Sequence, residues 1–193
     1  MNHLNRNLSS DELIGIGLFI SSIILLIILT YFGLNQSLWE DEIYTLDIVS
    51  KSFTDMVFTT AGNVHPPLYY IILMLAFKFS SWFSINNIVF AKLVSVIPLV
   101  LLLCFSFFRL RRDLGWLVTG IFGFCIITMP KLMIYGTQIR MYSWVMFFVT
   151  LSFYYSYKIT KESNNRNWII FNSFSLLAVY THELQENSLK LLK

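Results

Sequence analysis

Apolar positions in this chain fall into long uninterrupted blocks, with no extended stretch of strand-like alternation. Leu13 to Leu34 carries no charged residue over about 22 positions, enough at ~1.5 Å per residue to cross a hydrocarbon layer ~30 Å thick. Ser9 or Ser10 ahead of Asp11-Glu12 reads as an N-cap with an acidic first turn. A secretory leader would have a shorter apolar core and a small-residue cleavage site. Neither follows at Tyr31-Phe32-Gly33-Leu34, so a retained helix is expected. Further blocks cover Leu68–Phe83, interrupted by Lys78; Ile88–Phe108, with Lys92 near its start and Pro98 inside; Trp116–Met129; Met141–Tyr157; and Trp168–Tyr180.

Between the first two blocks lies the longest polar interval, residues 35–67, which holds Glu40, Asp41, Glu42, Asp47 and Asp55 against Lys51. Within it Ile43, Leu46, Ile48 and Val49, then Phe53, Met56 and Val57, recur at helical spacing. One or two short interfacial helices are expected there. His65-Pro66-Pro67 ends any helix, because a residue before proline is driven out of the α region. The pattern predicts an all-α polytopic membrane protein of about five to six apolar helices. Residues 1–182 read as one domain without repeats, and residues 183–193 as a polar tail foreign to it.

Composition supports that class. The chain is 56% apolar and 13% charged, with a mean hydropathy of +0.63, against the ~25% charge of a soluble domain. The net charge of +3 is small and the basic residues sit between apolar blocks, which excludes a nucleic-acid-binding surface. Cys104 and Cys125 lie inside apolar blocks and read as small hydrophobes.

Charge placement sets a topological puzzle. Arg109/Arg111/Arg112 and Lys158/Lys161/Arg166 should both be cytoplasmic, and the acidic interval outside. Two complete crossings between residues 67 and 109 would put the arginines on the wrong side. Leu68–Phe83 is therefore expected to be short, tilted or partly re-entrant. That choice brings the 35–67 interval, the Lys131–Tyr142 turn and Tyr180-Thr181-His182 to one side. Lys78 and Lys92 are expected to snorkel.

Several residues on that side could carry chemistry. Asp41 and Glu42 are adjacent and must point in different directions, so one would face an acceptor as general base while the other holds a cation or basic partner. The competing reading makes them first-turn acids of a helix starting near Ile43. Arg140 could bind a phosphate through its guanidinium fork, or anchor the interface with Tyr135 and Tyr142. Lys131 is a weaker candidate of the same kind. His65 could donate to a phosphate or belong only to its turn, and His182 could be an ordinary helix-end histidine.

The order of these motifs resembles a known family. Trp39-x-Asp41-Glu42-x-Tyr44 follows the first block, then His65-Pro66-Pro67-Leu68-Tyr69-Tyr70. Pro130 precedes Ile134-Tyr135-Gly136-Thr137-Gln138-Ile139-Arg140-Met141-Tyr142, and Val179-Tyr180-Thr181-His182 closes the series. Over residues 13–182 this resembles the amino-terminal portion of GT-C glycosyltransferases, in the family 39 group of protein O-mannosyltransferases and lipid A aminoarabinose transferases. The resemblance implies a polytopic enzyme of a bacterial plasma membrane. Such an enzyme moves a sugar from a polyprenyl-phosphate donor to a glycan, lipid or protein acceptor on the outer face. It further implies Asp41 as base with Glu42 in support, Arg140 and His65 facing the carrier phosphate, and Tyr142, His182 and Lys131 nearby.

Two departures qualify that picture. Gln138 and Ile139 stand where relatives often carry an acid before the arginine, which leaves a second carboxylate and a divalent cation open. Family members also run through further helices, so a truncated product, inactive alone, is expected. The alternative is a non-enzymatic membrane protein that binds polyprenyl lipid or assembles with another membrane chain. A transporter subunit ranks last, because paired mid-membrane charges in two corresponding halves are absent.

Overall fold

The structure, a computed structural model, describes residues 8–62, 66–82 and 86–182. His65 and the 183–193 tail lie outside the described residues. The described residues are helical throughout, without a strand: α1 (Ser10–Leu34), α2 (Glu40–Ser50), α3 (Phe53–Gly62), α4 (Leu68–Trp82), α5 (Asn87–Phe105), a π-helical turn (Ser106–Leu110), α6 (Arg111–Thr128), α7 (Pro130–Tyr135), α8 (Tyr142–Lys161) and α9 (Asn165–Thr181). The acidic interval thus forms two short helices, α2 and α3.

A reciprocal cap starts α1. Ser9 Oγ accepts from the Glu12 amide at 3.2 Å, and Glu12 Oε2 accepts from the Ser9 amide at 3.0 Å. Phe19 and Leu26 are buried along one side, whereas Ile20, Ile24 and Ile27 are 51%, 52% and 64% exposed. Two stretches, Ser10–Leu34 and Asn87–Thr128, are long and apolar enough to cross a membrane.

The second stretch is folded back on itself. Helix continues from α5 through the π-turn and the arginine cluster until Gly115, whose φ of 85° lies in the left-handed region that only glycine adopts readily. There the chain reverses. Ser106 Oγ donates to the Thr119 carbonyl at 3.0 Å, yet residues 13 apart on a straight helix would be ~20 Å from one another. Residues 116–128 therefore return beside α5, and Arg109, Arg111 and Arg112 belong to the helix end rather than to a loop.

Small residues allow α1 to pack on this return. A Cβ at Gly15 would overlap the Trp116 carbonyl, and one at Gly120 would overlap the Gly15 carbonyl. The two backbones touch at that crossing, a geometry seen where helices associate by close packing. Phe19 continues the contact against Phe107 and Trp116, with ring centroids 5.8 and 6.4 Å away.

Polar side chains inside the bundle repair specific backbone defects. Pro98 has no N–H to give the Val94 carbonyl one turn back. Trp144 Nε1 from α8 donates to that oxygen at 3.2 Å. Next to it, Ser143 Oγ donates to the Ser95 carbonyl at 2.6 Å. Lys92 does not snorkel as expected. It is 2% exposed, and its ammonium donates to the Gly33 and Gln36 carbonyls at 2.8 and 2.6 Å. A buried cation at the end of a helix offsets the unpaired carbonyls and the negative end of the dipole. Lys78 is exposed.

These contacts define two ends. α1, residues 116–128 and α9 run one way; α5 and α8 run back. One end gathers the close of α1, α2, α3, α7 and the start of α8. At the other, Lys158 Nζ lies 2.8 Å from Asp113, so the 109–112 and 158–166 basic clusters share a single end. α4 accounts for this. Tyr69 meets Ser95 at 3.0 Å and Ser80 meets Asn87 at 2.8 Å, so α4 flanks only the first turns of α5 and does not run the length of the bundle.

Candidate active site

Glu42 fixes the architecture at the acidic end. It occupies the third position of α2, where its Oε2 accepts from the Trp39 amide at 2.9 Å and caps the helix. Its Oε1 accepts from the amide of Ile139, 97 residues away, at 2.8 Å. The side chain is buried, with both oxygens held by backbone N–H groups. It acts as a clamp between the acidic helix and the 136–141 strap, which matches the capping reading more closely than that of a base.

Because Glu42 turns inward, its neighbour turns outward. The Asp41 side chain is 73% exposed, and its Oδ2 lies 3.7 Å from Arg140 Nη2. Arg140 Nη1 also donates to the Asp41 carbonyl at 3.4 Å. Arg140 itself is buried, 7% exposed by side chain, and its Nε has no hydrogen-bond partner. A buried guanidinium with one long ion pair and an unused donor has capacity left for an anion. The Tyr142 ring stands 5.8 Å from the guanidinium carbon and 6.0 Å from the His182 ring.

Two further buried polar atoms lack partners in this region. One is His182 Nδ1; the other is the Tyr70 hydroxyl, which is within electrostatic reach of Arg140, Asp41 and Tyr142. Tyr70 is a residue the sequence reading left without a role. Its local signal is an aromatic pair, Tyr69-Tyr70, one residue after Pro66-Pro67. Burying a polar group without a partner costs about 1–3 kcal/mol, so their concentration around one arginine calls for a functional account.

Space for a ligand adjoins this cluster. A groove of about 630 Å³ runs between the start of α2 and α7, lined by Trp39, Glu40, Asp41, Tyr135 and Gln138. A second cavity of about 340 Å³, lined by Lys131, Tyr135, Gly136, Tyr142 and Ser143, lies across the Tyr135 ring. Lys131 therefore sits one compartment away from Asp41, with Nζ 5.6 Å from the Tyr135 ring. Asp41, Glu42 and Arg140 come together, with the Tyr142 ring beside the arginine and the His182 ring tilted against that of Tyr142. Gln138 places a neutral amide at the position where the resemblance would have an acid. Among the described residues no group of three His, Cys, Asp or Glu side chains is placed to hold a metal ion.

Comparison with known proteins supplies no relative: no family model, no curated protein and no solved structure matches the chain.

Proposed function

We propose that the chain is an integral membrane glycosyltransferase that takes a sugar from a polyprenyl-phosphate carrier, with Asp41 as general base and Arg140 as phosphate ligand. The observation that carries this reading is the Asp41–Arg140 pair, an exposed carboxylate at a groove beside a buried guanidinium with an unused Nε. Membrane placement draws support from α1, which leaves its isoleucines outward where a soluble protein would bury them. α1, the two arms joined at Gly115, α8 and α9 would cross the bilayer. By the charge rule the Asp113 end faces the cytoplasm and the groove faces outward.

In this reading the 3.7 Å ion pair is a resting contact. An arriving phosphate competes for Arg140, where bidentate charge-assisted bonds are stronger than a single long one. Asp41 is then free to accept the proton of the acceptor hydroxyl or amine as that atom attacks the sugar. The C–O bond to the carrier breaks, and the carrier leaves as its phosphate, held by Arg140. Tyr142 and His182 position the guanidinium.

Asp41, Arg140 and the adjoining groove all lie within the described residues, so this reading, unlike the expectation of a product inactive alone, requires transfer by the full chain, which is tested in lipid nanodiscs. Binding of a polyprenyl phosphate is measured beside transfer from polyprenyl-phosphate hexoses and pentoses. Asp41→Asn should bind normally and lose about 10²–10⁴-fold in transfer, whereas Arg140→Gln should lose binding. Wild-type binding without transfer would replace the enzyme with a lipid-binding protein. Absence of both would overturn the reading. Release of the chain from membranes by alkaline extraction would overturn its membrane placement.

A further inference from the structure

A second concave site lies at the opposite end of the bundle, between residues 105–122 and α8. It is a groove of about 570 Å³ whose floor and walls are apolar, among them Phe105, Leu110, Phe122, Val149 and Phe153. Phe153 is 78% exposed and Val149 49% exposed, so the groove opens sideways along the bundle. Its lining suits a hydrocarbon chain better than a polar solute, since no charged side chain is among the lining residues.

The rim differs in kind. Tyr154 and Tyr157 line the groove, and both carry cations on their rings. Lys158 Nζ is 5.7 Å from the Tyr154 centroid, the Arg109 guanidinium carbon 6.0 Å from the same ring, and Lys161 Nζ 5.8 Å from that of Tyr157. Arg112 adds a fourth cation, 3.7 Å from Asp113 Oδ1 and 69% exposed. Among the described residues Asp113 is the one carboxylate bonded into this group, receiving Lys158 at 2.8 Å, Arg109 at 3.8 Å and the Tyr154 hydroxyl. Four cations against the one carboxylate bonded into the group give this group, which adjoins the groove through Tyr154 and Tyr157, a net positive charge.

Cations pinned by one acid and two aromatic rings are pre-organised, so a headgroup docking on them pays little ordering entropy. An apolar trough joined to a fixed cationic rim complements an amphiphile with an anionic head and a long tail. We infer that this groove is a binding site for an anionic phospholipid, with one acyl chain along Phe153 and Val149 and the phosphate at Lys158, Lys161 and Arg112. The inference rests on membrane placement of the chain and is independent of sugar transfer.

The experiment titrates the detergent-solubilised chain with phosphatidylglycerol, and separately with phosphatidylcholine, following the thermal unfolding midpoint to obtain Kd. Phosphatidylglycerol should raise the midpoint at concentrations where phosphatidylcholine does not. A cation at a lipid headgroup is worth about fivefold in affinity. Arg112→Gln with Lys161→Gln should therefore weaken phosphatidylglycerol roughly 25-fold without shifting the lipid-free midpoint, as both side chains are exposed. Phe153→Ser should weaken a long-chain phosphatidylglycerol while leaving a short-chain analogue unchanged. Equal effects of the two lipids, stabilisation by inorganic phosphate alone, or a phosphatidylglycerol response untouched by the double variant would overturn the proposal. Alkaline extraction, which reports membrane placement separately, distinguishes that failure from failure of this site.

Discussion

Trp144 donates its indole N–H to the Val94 carbonyl, the oxygen that Pro98 leaves without its helical partner. A proline inside a helix costs about 3 kcal/mol when the freed carbonyl finds no donor, and here a side chain of α8 supplies one. The pair predicts coupling. Trp144→Phe should destabilise the wild-type chain by about 1 kcal/mol. In a Pro98→Ala background, where the backbone regains an N–H and the helical bond with it, the same substitution should cost less. A double-mutant cycle by thermal unfolding checks this, and strict additivity would mean that the indole contributes only packing.

Neighbouring acids should behave in opposite ways. Glu42→Gln puts an amide NH₂ against one of two backbone N–H donors, which should lower stability by about 2 kcal/mol. Asp41→Asn changes an exposed side chain and should leave the unfolding midpoint within experimental error. Thermal scans of the two variants decide. Equal midpoints would remove the clamp assigned to Glu42.

Glycines on α1 and α6 differ in what surrounds them. Gly120→Ala would drive a methyl into the Gly15 carbonyl and should cost about 1–3 kcal/mol by forcing the helices apart. Gly17→Ala points into open space and should be neutral or slightly stabilising through helix propensity. Denaturation of both variants in the same detergent measures the contrast.

Acid and base should each weaken the Asp113 end. Burial acts to raise the Asp113 carboxyl, but hydrogen bonds from Lys158 and Tyr154 outweigh it and hold the group below the ordinary aspartate range. A depressed carboxyl contributes stability above its unfolded pKa of about 4, and that stability is lost as pH falls through the still lower folded value. Lys158 is raised, chiefly by its bond to Asp113. Its contribution is complete below about pH 10.5 and fades as pH rises through the higher folded value. Asp113→Asn should flatten both limbs of a stability–pH curve, and an unchanged curve would remove the network's role.

Helix starts, apolar blocks and the short length of α4 were legible because each follows from local chemistry. Ser9 or Ser10 ahead of Asp11-Glu12 reads as a cap from the local sequence alone, and a block of about 16 residues bearing Lys78 is shorter than a membrane crossing needs. Lys92 was misread because nothing within α5 reveals that the carbonyl end of α1 lies beside it. Its contacts are 56 and 59 residues away in sequence. Likewise the acid pair at 41–42 was visible, but its division of labour depends on Ile139. Tyr70 stood in a recognised motif but received no role, because an aromatic shortly after Pro-Pro looks like packing until its hydroxyl is found buried without a partner.

Glu42 and Ile139, joined across 97 residues, also impose an order on biosynthesis. A ribosome adding about 5–20 residues per second makes α2 several seconds before the strap that completes it exists. During that interval the Glu42 carboxylate has the start of its own helix, the Trp39 amide, as its partner. The second oxygen gains its donor only after residue 139 has been made, so the junction between α2 and the strap is a late contact, formed after α1 to α7 have been synthesised.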